Sequence, residues 1–213
     1  HHLYGFQSVK KNFSTGDWLK LVNQKIFDLE KRRKVPILVG GTGLYFKALT
    51  EGLTNIPNIP IKFRSKIRSL HSKIGSKNFF LKLVKLDPLI KNQINQSDTQ
   101  RAIRAYEIKM YTKKSIYEWF KKTKSNHEKK SFFKIYIDYP RNELLERISA
   151  RSKKMVEKGA VSEVKRFIKL KIPKNKSALK AIGINEIKDY LQKKIEIDDV
   201  IEKKSIKTRQ YDK

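Results

Sequence analysis

The chain of 213 residues carries 50 Lys and Arg against 21 Asp and Glu, a formal charge of +29, and has no Cys. This composition excludes disulfides, thiolate nucleophiles and Cys-based zinc sites, and the positive excess calls for a polyanionic partner such as nucleic acid. No apolar run approaches the roughly 20 residues that cross a bilayer and no signal segment opens the chain, so a cytoplasmic protein without a membrane partner is expected.

In chain order, Ser14-Thr15-Gly16-Asp17 reads as a capped helix start. Trp18, Leu19, Val22, Ile26 and Leu29 continue it at helical spacing to the basic Lys31-Arg32-Arg33. Val35-Pro36-Ile37-Leu38-Val39 is an apolar run of the kind buried on both faces in a parallel sheet, and it runs straight into Gly40-Gly41-Thr42-Gly43. A short helix starts at Leu44, so its free first-turn amides and dipole face whatever lies beyond the strand, with the Thr42 hydroxyl among them. Taken alone, the glycines favour a plain tight turn. A helix returning to a buried strand is half of a βαβ unit, and the expected fold class is therefore α/β. Two prolines in Thr54–Pro60 then mark a hinge.

Residues 62–131 are polar, helical and strand-free. They hold 19 Lys or Arg against 5 Asp or Glu, so about half of the net charge sits in this basic lobe. Phe63, Ile67, Leu70 and Ile74 form one stripe and Phe79, Leu83 and Leu86 another, while Asp87-Pro88 and Asp98 offer helix N-caps. With Asp98 as cap, Gln100 and Arg104 fall one turn apart on one face with Arg101 beside them, a group able to read a base edge and clamp phosphates. A solvated polar face is the alternative. Lys supplies 39 of the cations and Arg 11, so part of the charge reflects compositional bias, and the arginines, with their two-point fork for phosphate, are the informative positions. Phe132–Asp138 returns to strand character and Tyr139-Pro140-Arg141 opens a long helix, which makes the lobe an insertion between residues 1–61 and 132–213 of the core. Along that helix Arg151 falls on the stripe of Leu144, Ile148 and Met155. A guanidinium buried there needs an anion on the core side; an internal carboxylate or an escape to solvent are the alternatives. His71 and His127 stand alone, and no zinc is expected.

Gly40–Leu49 followed by Glu51-Gly52-Leu53 resembles the tRNA dimethylallyltransferase family, which attaches a prenyl group to an adenine beside the anticodon. Further blocks agree in order: His1-His2-Leu3, Ser14–Trp18, Asp98-Thr99-Gln100-Arg101 with Arg104-Ala105 and Glu107, Arg151 with Met155 and Gly159, Ala181-Ile182-Gly183, and Thr208-Arg209-Gln210. The resemblance covers essentially the whole chain and implies a P-loop NTPase-like core with a parallel sheet, incomplete here, plus an inserted all-helical basic lobe.

By that resemblance Thr42 hydrogen-bonds the diphosphate of dimethylallyl diphosphate near its bridging oxygen, Arg151 holds the diphosphate with Arg147 in support, and Gly40, Gly41 and Gly43 shape the substrate loop. Arg64, Gln100, Arg101, Arg104, Lys180 and Gly183 match positions that contact the tRNA anticodon stem-loop, though Ile184 and Asn185 depart from the family's usual Tyr and basic residue. Tyr45, Tyr106 and Trp119 are candidate stacking platforms for an extruded base, with core packing as the commoner role. The resemblance also implies Mg2+, with no ligands for it in this chain, and a monomer. Family members begin with a Gly-x-x-x-x-Gly-Lys-Ser/Thr loop and an Asp general base, neither of which occurs here, and the chain opens at His1-His2 rather than Met. The expectation is an N-terminally truncated chain, ending short of the family's usual end, that is inactive or impaired alone; tag residue is the alternative source of the two histidines. Competing readings are a non-catalytic RNA-binding fragment, a nucleotide kinase, and a prenyltransferase of free adenylates, the last of which has no need of a basic lobe.

Overall fold

Ser14 starts the first helix, α1 (Thr15–Lys31), through a reciprocal box: the Asp17 N–H donates to the Ser14 hydroxyl at 3.1 Å and the Ser14 N–H to the Asp17 carboxylate at 3.0 Å. This satisfies two of the amides a helix start leaves open. The computed structural model describes residues 1–128, 131–173 and 176–211. The chain divides into two units, residues 1–18 with 134–213 and residues 19–133.

In the second unit the Val35–Val39 segment is not the buried parallel strand its apolar run predicts. Val35, Ile37 and Val39 are 85%, 84% and 82% exposed, and among the described residues the segment joins no ladder. In the other unit Ile135, Tyr136 and Ile137 are likewise exposed and outside any ladder. A strand exists only when a neighbour takes up its N–H and C=O groups, and among the described residues neither segment has one. The described residues are thus helical throughout their regular structure.

Helix α2 (Gly43–Glu51) follows the glycine turn and buries Ala48 and Leu49. Its end is strapped by the 123–127 segment: Ser125 Oγ donates to the Leu49 carbonyl at 3.0 Å, and His127 Nε2 meets Asn23 Oδ1 of α1 at 2.8 Å. Helix α3 (Ile61–Leu86) begins after Pro60 and is broken at Gly75, whose φ of 74° and ψ of 165° leave the helical region at a position where a Cβ would be strained. The break explains the two separate apolar stripes. Asp87-Pro88 then opens only a 3-10 turn, Pro88–Ile90, without a side-chain cap, and the Asp87 carboxylate is buried with its Oδ2 unpartnered among the described residues.

Helix α4 (Thr99–Thr112) is capped as expected, with Asp98 Oδ1 accepting from the Arg101 N–H at 3.0 Å. Its buried Ala102 and Ala105 present small side chains toward α3, and Tyr106 packs its ring 4.9 Å from Phe79. Phe79, Leu83, Ile90 and Ile108 complete this core, each contributing about 1.5–3 kcal/mol by burial. Helix α5 (Ile116–Phe120) is capped by Ser115, and its Trp119 Nε1 donates to Thr112 Oγ1 at 3.2 Å. Tyr106 and Trp119 therefore serve the core.

The first unit contains α6 (Arg141–Met155), α7 (Val161–Lys169), α8 (Ile184–Leu191) and α9 (Ile197–Tyr211). Val164, Ile187 and Val200 form one small core, and α6 packs on α9. No helix among the described residues is long and apolar enough to cross a membrane.

Candidate functional site

The glycine turn places Thr42 at the N-cap of α2 with extended backbone, φ −81° and ψ 95°. Its carbonyl accepts from the Tyr45 N–H at 3.0 Å, but its hydroxyl makes no capping hydrogen bond. Gly40, Gly41, Thr42 and Gly43 are all exposed. The result is a helix start whose first amides face outward beside an uncommitted hydroxyl, where an anion is favoured by both the N–H groups and the dipole.

In the same unit Arg64 of α3 and Arg104 of α4 meet at one carboxylate. Glu107 is 1% exposed, and its Oε2 accepts from Arg64 Nε at 3.2 Å and from Arg104 Nη1 at 3.2 Å. Arg68, one turn after Arg64, brings its Nε to 3.6 Å from the other oxygen, Oε1. A lone buried carboxylate is costly, and three guanidiniums compensate it. One negative charge against three positive leaves the cluster strongly cationic, with all three arginines partly exposed. Gln100 lies exposed one turn before Arg104, and Arg101 pairs with Asp98 at 3.3 Å. The sequence spacing groups Gln100, Arg101 and Arg104; Arg64 to Arg68 and Arg104 to Glu107 are also one-turn intervals, but the meeting of the two helices at Glu107 is a property of the fold.

In the other unit, Lys180 is exposed at the end of a 3-10 turn, Ser177–Lys180, and Gly183 is buried at the N-cap of α8. The Gly183 N–H donates to Glu186 Oε2 at 2.9 Å, and Lys207 of α9 pairs with Glu186 Oε1. Burial works to raise the Glu186 pKa, but the Lys207 ammonium and the N–H groups of its own backbone and Gly183 outweigh it and hold it below its ordinary value.

Arg151 does not occupy the buried stripe expected of it. On α6 the buried positions are Ile148 and Ser152, and Arg151 is exposed one step round the helix. Ser152 Oγ instead accepts from Lys204 Nζ of α9 at 3.3 Å, and Lys204 is only 7% exposed. Burial first, and the nearby Arg151 charge second, push the Lys204 pKa down. Arg147 stacks its guanidinium 4.6 Å from the Tyr139 ring centre.

Among the described residues no three His, Asp or Glu side chains stand together.

The IPP transferase family model matches residues 1–213, the whole chain. The chain is 53% identical over 213 residues to a tRNA dimethylallyltransferase of Pelagibacter ubique, covering all of this chain and 68% of that protein. It is 42% identical over 214 residues to one of Rickettsia massiliae, again along its full length, covering 59% of that relative. Among solved structures, the full-length tRNA isopentenylpyrophosphate transferase of Bacillus halodurans superposes with a TM-score of 0.62 at 28% identity, over 100% of this chain and 65% of that one. A eukaryotic dimethylallyltransferase acting on tRNA superposes with a TM-score of 0.78 at 25% identity, over 96% of this chain and 52% of the other. These matches define the class as a transferase with the fold of those enzymes. The chain belongs to the IPP transferase family.

Proposed function

We propose that this chain supplies the tRNA-reading and prenyl diphosphate-binding parts of a tRNA dimethylallyltransferase, a cytoplasmic enzyme acting as a monomer. The observation that carries the proposal is the family match over residues 1–213. It is supported by the open, glycine-flanked helix start at Thr42 and by the cationic cluster that joins α3 to α4. In this reading the exposed apolar segments 35–39 and 132–138 are strands of a P-loop NTPase-like parallel sheet, and residues 62–131 are a helical insertion that takes the anticodon stem-loop.

The reaction is attack by the exocyclic amine of the adenine 3′ of the anticodon on the first carbon of dimethylallyl diphosphate. The nitrogen–carbon bond forms as the carbon–oxygen bond breaks, diphosphate leaves with the electron pair, and the amine proton passes to solvent water, since the family's Asp base does not occur in this chain. Gly40, Gly41 and Gly43 let the backbone approach the diphosphate, while the Thr42 hydroxyl donates to oxygen where negative charge grows, the productive use of a fixed donor. Arg151, exposed on α6 with Arg147 one turn before it, is by family resemblance a diphosphate-binding arginine. Arg64, Gln100, Arg101 and Arg104 contact the RNA, exposed Lys180 adds a further contact, and buried Gly183 shapes the turn that follows it. A small free nucleotide has no use for this basic helical surface.

The test is incubation of the protein with dimethylallyl diphosphate and an anticodon hairpin bearing the unpaired adenine, followed by mass spectrometry of the RNA. A gain of one dimethylallyl group on that adenine supports the reading. Selective hairpin binding without the mass gain is the outcome of the two binding parts without turnover, and equal binding of a scrambled hairpin overturns the reading.

A further inference from the structure

Three arginines on two helices converge on one buried carboxylate. Arg64 and Arg68 follow each other by one turn of α3, Arg104 stands on α4, and Glu107 reaches from α4 between them with Oε2 3.2 Å from both Arg64 Nε and Arg104 Nη1. Arg68 and Arg64 engage through Nε, so their terminal nitrogens have no hydrogen-bond partner among the described residues. Glu107 Oε1 is buried without a hydrogen bond among the described residues, and Arg68 at 3.6 Å stands just beyond bonding distance of it. The carboxylate thus holds two forks firmly and a third loosely, and two positive charges remain unmatched around a partly exposed rim.

We propose that Arg64, Arg68 and Arg104 form a single seat for one RNA backbone phosphate, and that Glu107 is its positioning residue. The seat rests on the tRNA reading above and deepens it by adding two residues to the RNA-binding surface. A guanidinium presents a planar pair of donors to phosphate oxygens, and fixing Arg64 and Arg68 on a carboxylate through Nε, and Arg104 through Nη1, orients their remaining donors so that less entropy is lost on binding. A carboxylate beside a phosphate site weakens attraction by its charge alone, so its burial among the arginines is useful only as an orienting group.

That opposition supplies the test. Binding of the full chain to an anticodon hairpin and to a scrambled hairpin is measured across a salt series for wild type, Glu107→Gln and Arg68→Ala. Glu107→Gln raises the net charge, so electrostatics alone makes it bind more tightly. Positioning makes it bind about five- to tenfold more weakly, and equal or tighter binding overturns Glu107's role. Arg68→Ala, at an exposed position, is expected to lose about five- to tenfold in affinity and to lower the slope of log Kd against log salt by about 0.7–0.9, the signature of one lost phosphate contact. An unchanged slope overturns the seat even if Glu107→Gln fails to fold. If wild type does not prefer the anticodon hairpin, the tRNA reading fails, while the slope change in Arg68→Ala still decides the phosphate seat on either RNA.

Discussion

Gly52 lies directly against the backbone of Lys124: a Cβ added at Gly52 would stand 2.3 Å from the Lys124 carbonyl oxygen and 2.9 Å from the Ser125 nitrogen. Gly52 also has φ of 94°, which an L side chain rarely adopts. Neither neighbour is a flexible side-chain end that could move aside. Gly52→Ala is therefore expected to cost about 2–4 kcal/mol, from backbone strain and overpacking together. Denaturant unfolding should show a lower midpoint with an unchanged slope. Gly41→Ala, where nothing lies within 4 Å, should leave the midpoint in place.

Local chemistry was legible in the sequence, and convergence was not. The Ser14–Asp17 box and the Asp98 cap lie within three residues of their partners, so spacing alone predicts them. Arg64 and Glu107 are 43 positions apart, and nothing in either helix's periodicity says that they meet. Arg151 shows the resolution of a 3.6-residue period: the buried stripe of α6 includes Ser152 rather than its neighbour, a difference the apolar pattern of Leu144, Ile148 and Met155 does not determine. The segments 35–39 and 132–138 show the converse. Their apolar runs predict burial in a sheet, but a run of side chains carries no partner for its own N–H and C=O groups, and among the described residues these segments stand exposed outside any ladder.

Glu186 should make the first unit sensitive to acid. Its folded pKa is lowered below its ordinary 4.5, so the unfolded chain binds protons more readily than the folded one. Its contribution is fully present above the ordinary value and is lost as pH falls through the folded one. Glu186→Gln is expected to destabilise by about 1.5–3 kcal/mol at pH 7, the worth of hydrogen bonds to a charged group. Thermal melts as a function of pH should show that difference shrinking toward pH 3; a constant difference contradicts the linkage.

Lys204 acts in the opposite pH range. Its folded pKa is lowered from 10.5 by burial and by Arg151, so between the two values the unfolded state holds a proton that the folded state has released. Stability contributed by this site therefore rises with pH through that window, and the full cost of the buried ammonium is felt below it. Replacing Lys204 by Met while changing Ser152 to Ala removes the charge and the hydroxyl it serves, leaving no unpaired polar atom from that bond. The double variant is expected to be about 1 kcal/mol more stable than wild type at pH 7. The advantage should vanish above pH 10.5, the ordinary lysine value, in denaturant titrations at a series of pH values.

Thr42 separates stability from function more cleanly than any other position. An N-cap threonine is usually worth about 1 kcal/mol because its oxygen satisfies a first-turn amide. Here the hydroxyl forms no such bond, although the residue stands at the N-cap of α2. Thr42→Ala should accordingly change the melting temperature very little. If the hydroxyl instead donates to the diphosphate, the same substitution removes one hydrogen bond to a charged group, about 1.5 kcal/mol or roughly tenfold in affinity. Calorimetric titration with inorganic diphosphate measures that loss, and Thr42→Ser, which restores a hydroxyl on the same backbone, should recover most of it. A variant that melts lower yet binds diphosphate as wild type does would make Thr42 a helix cap and nothing more.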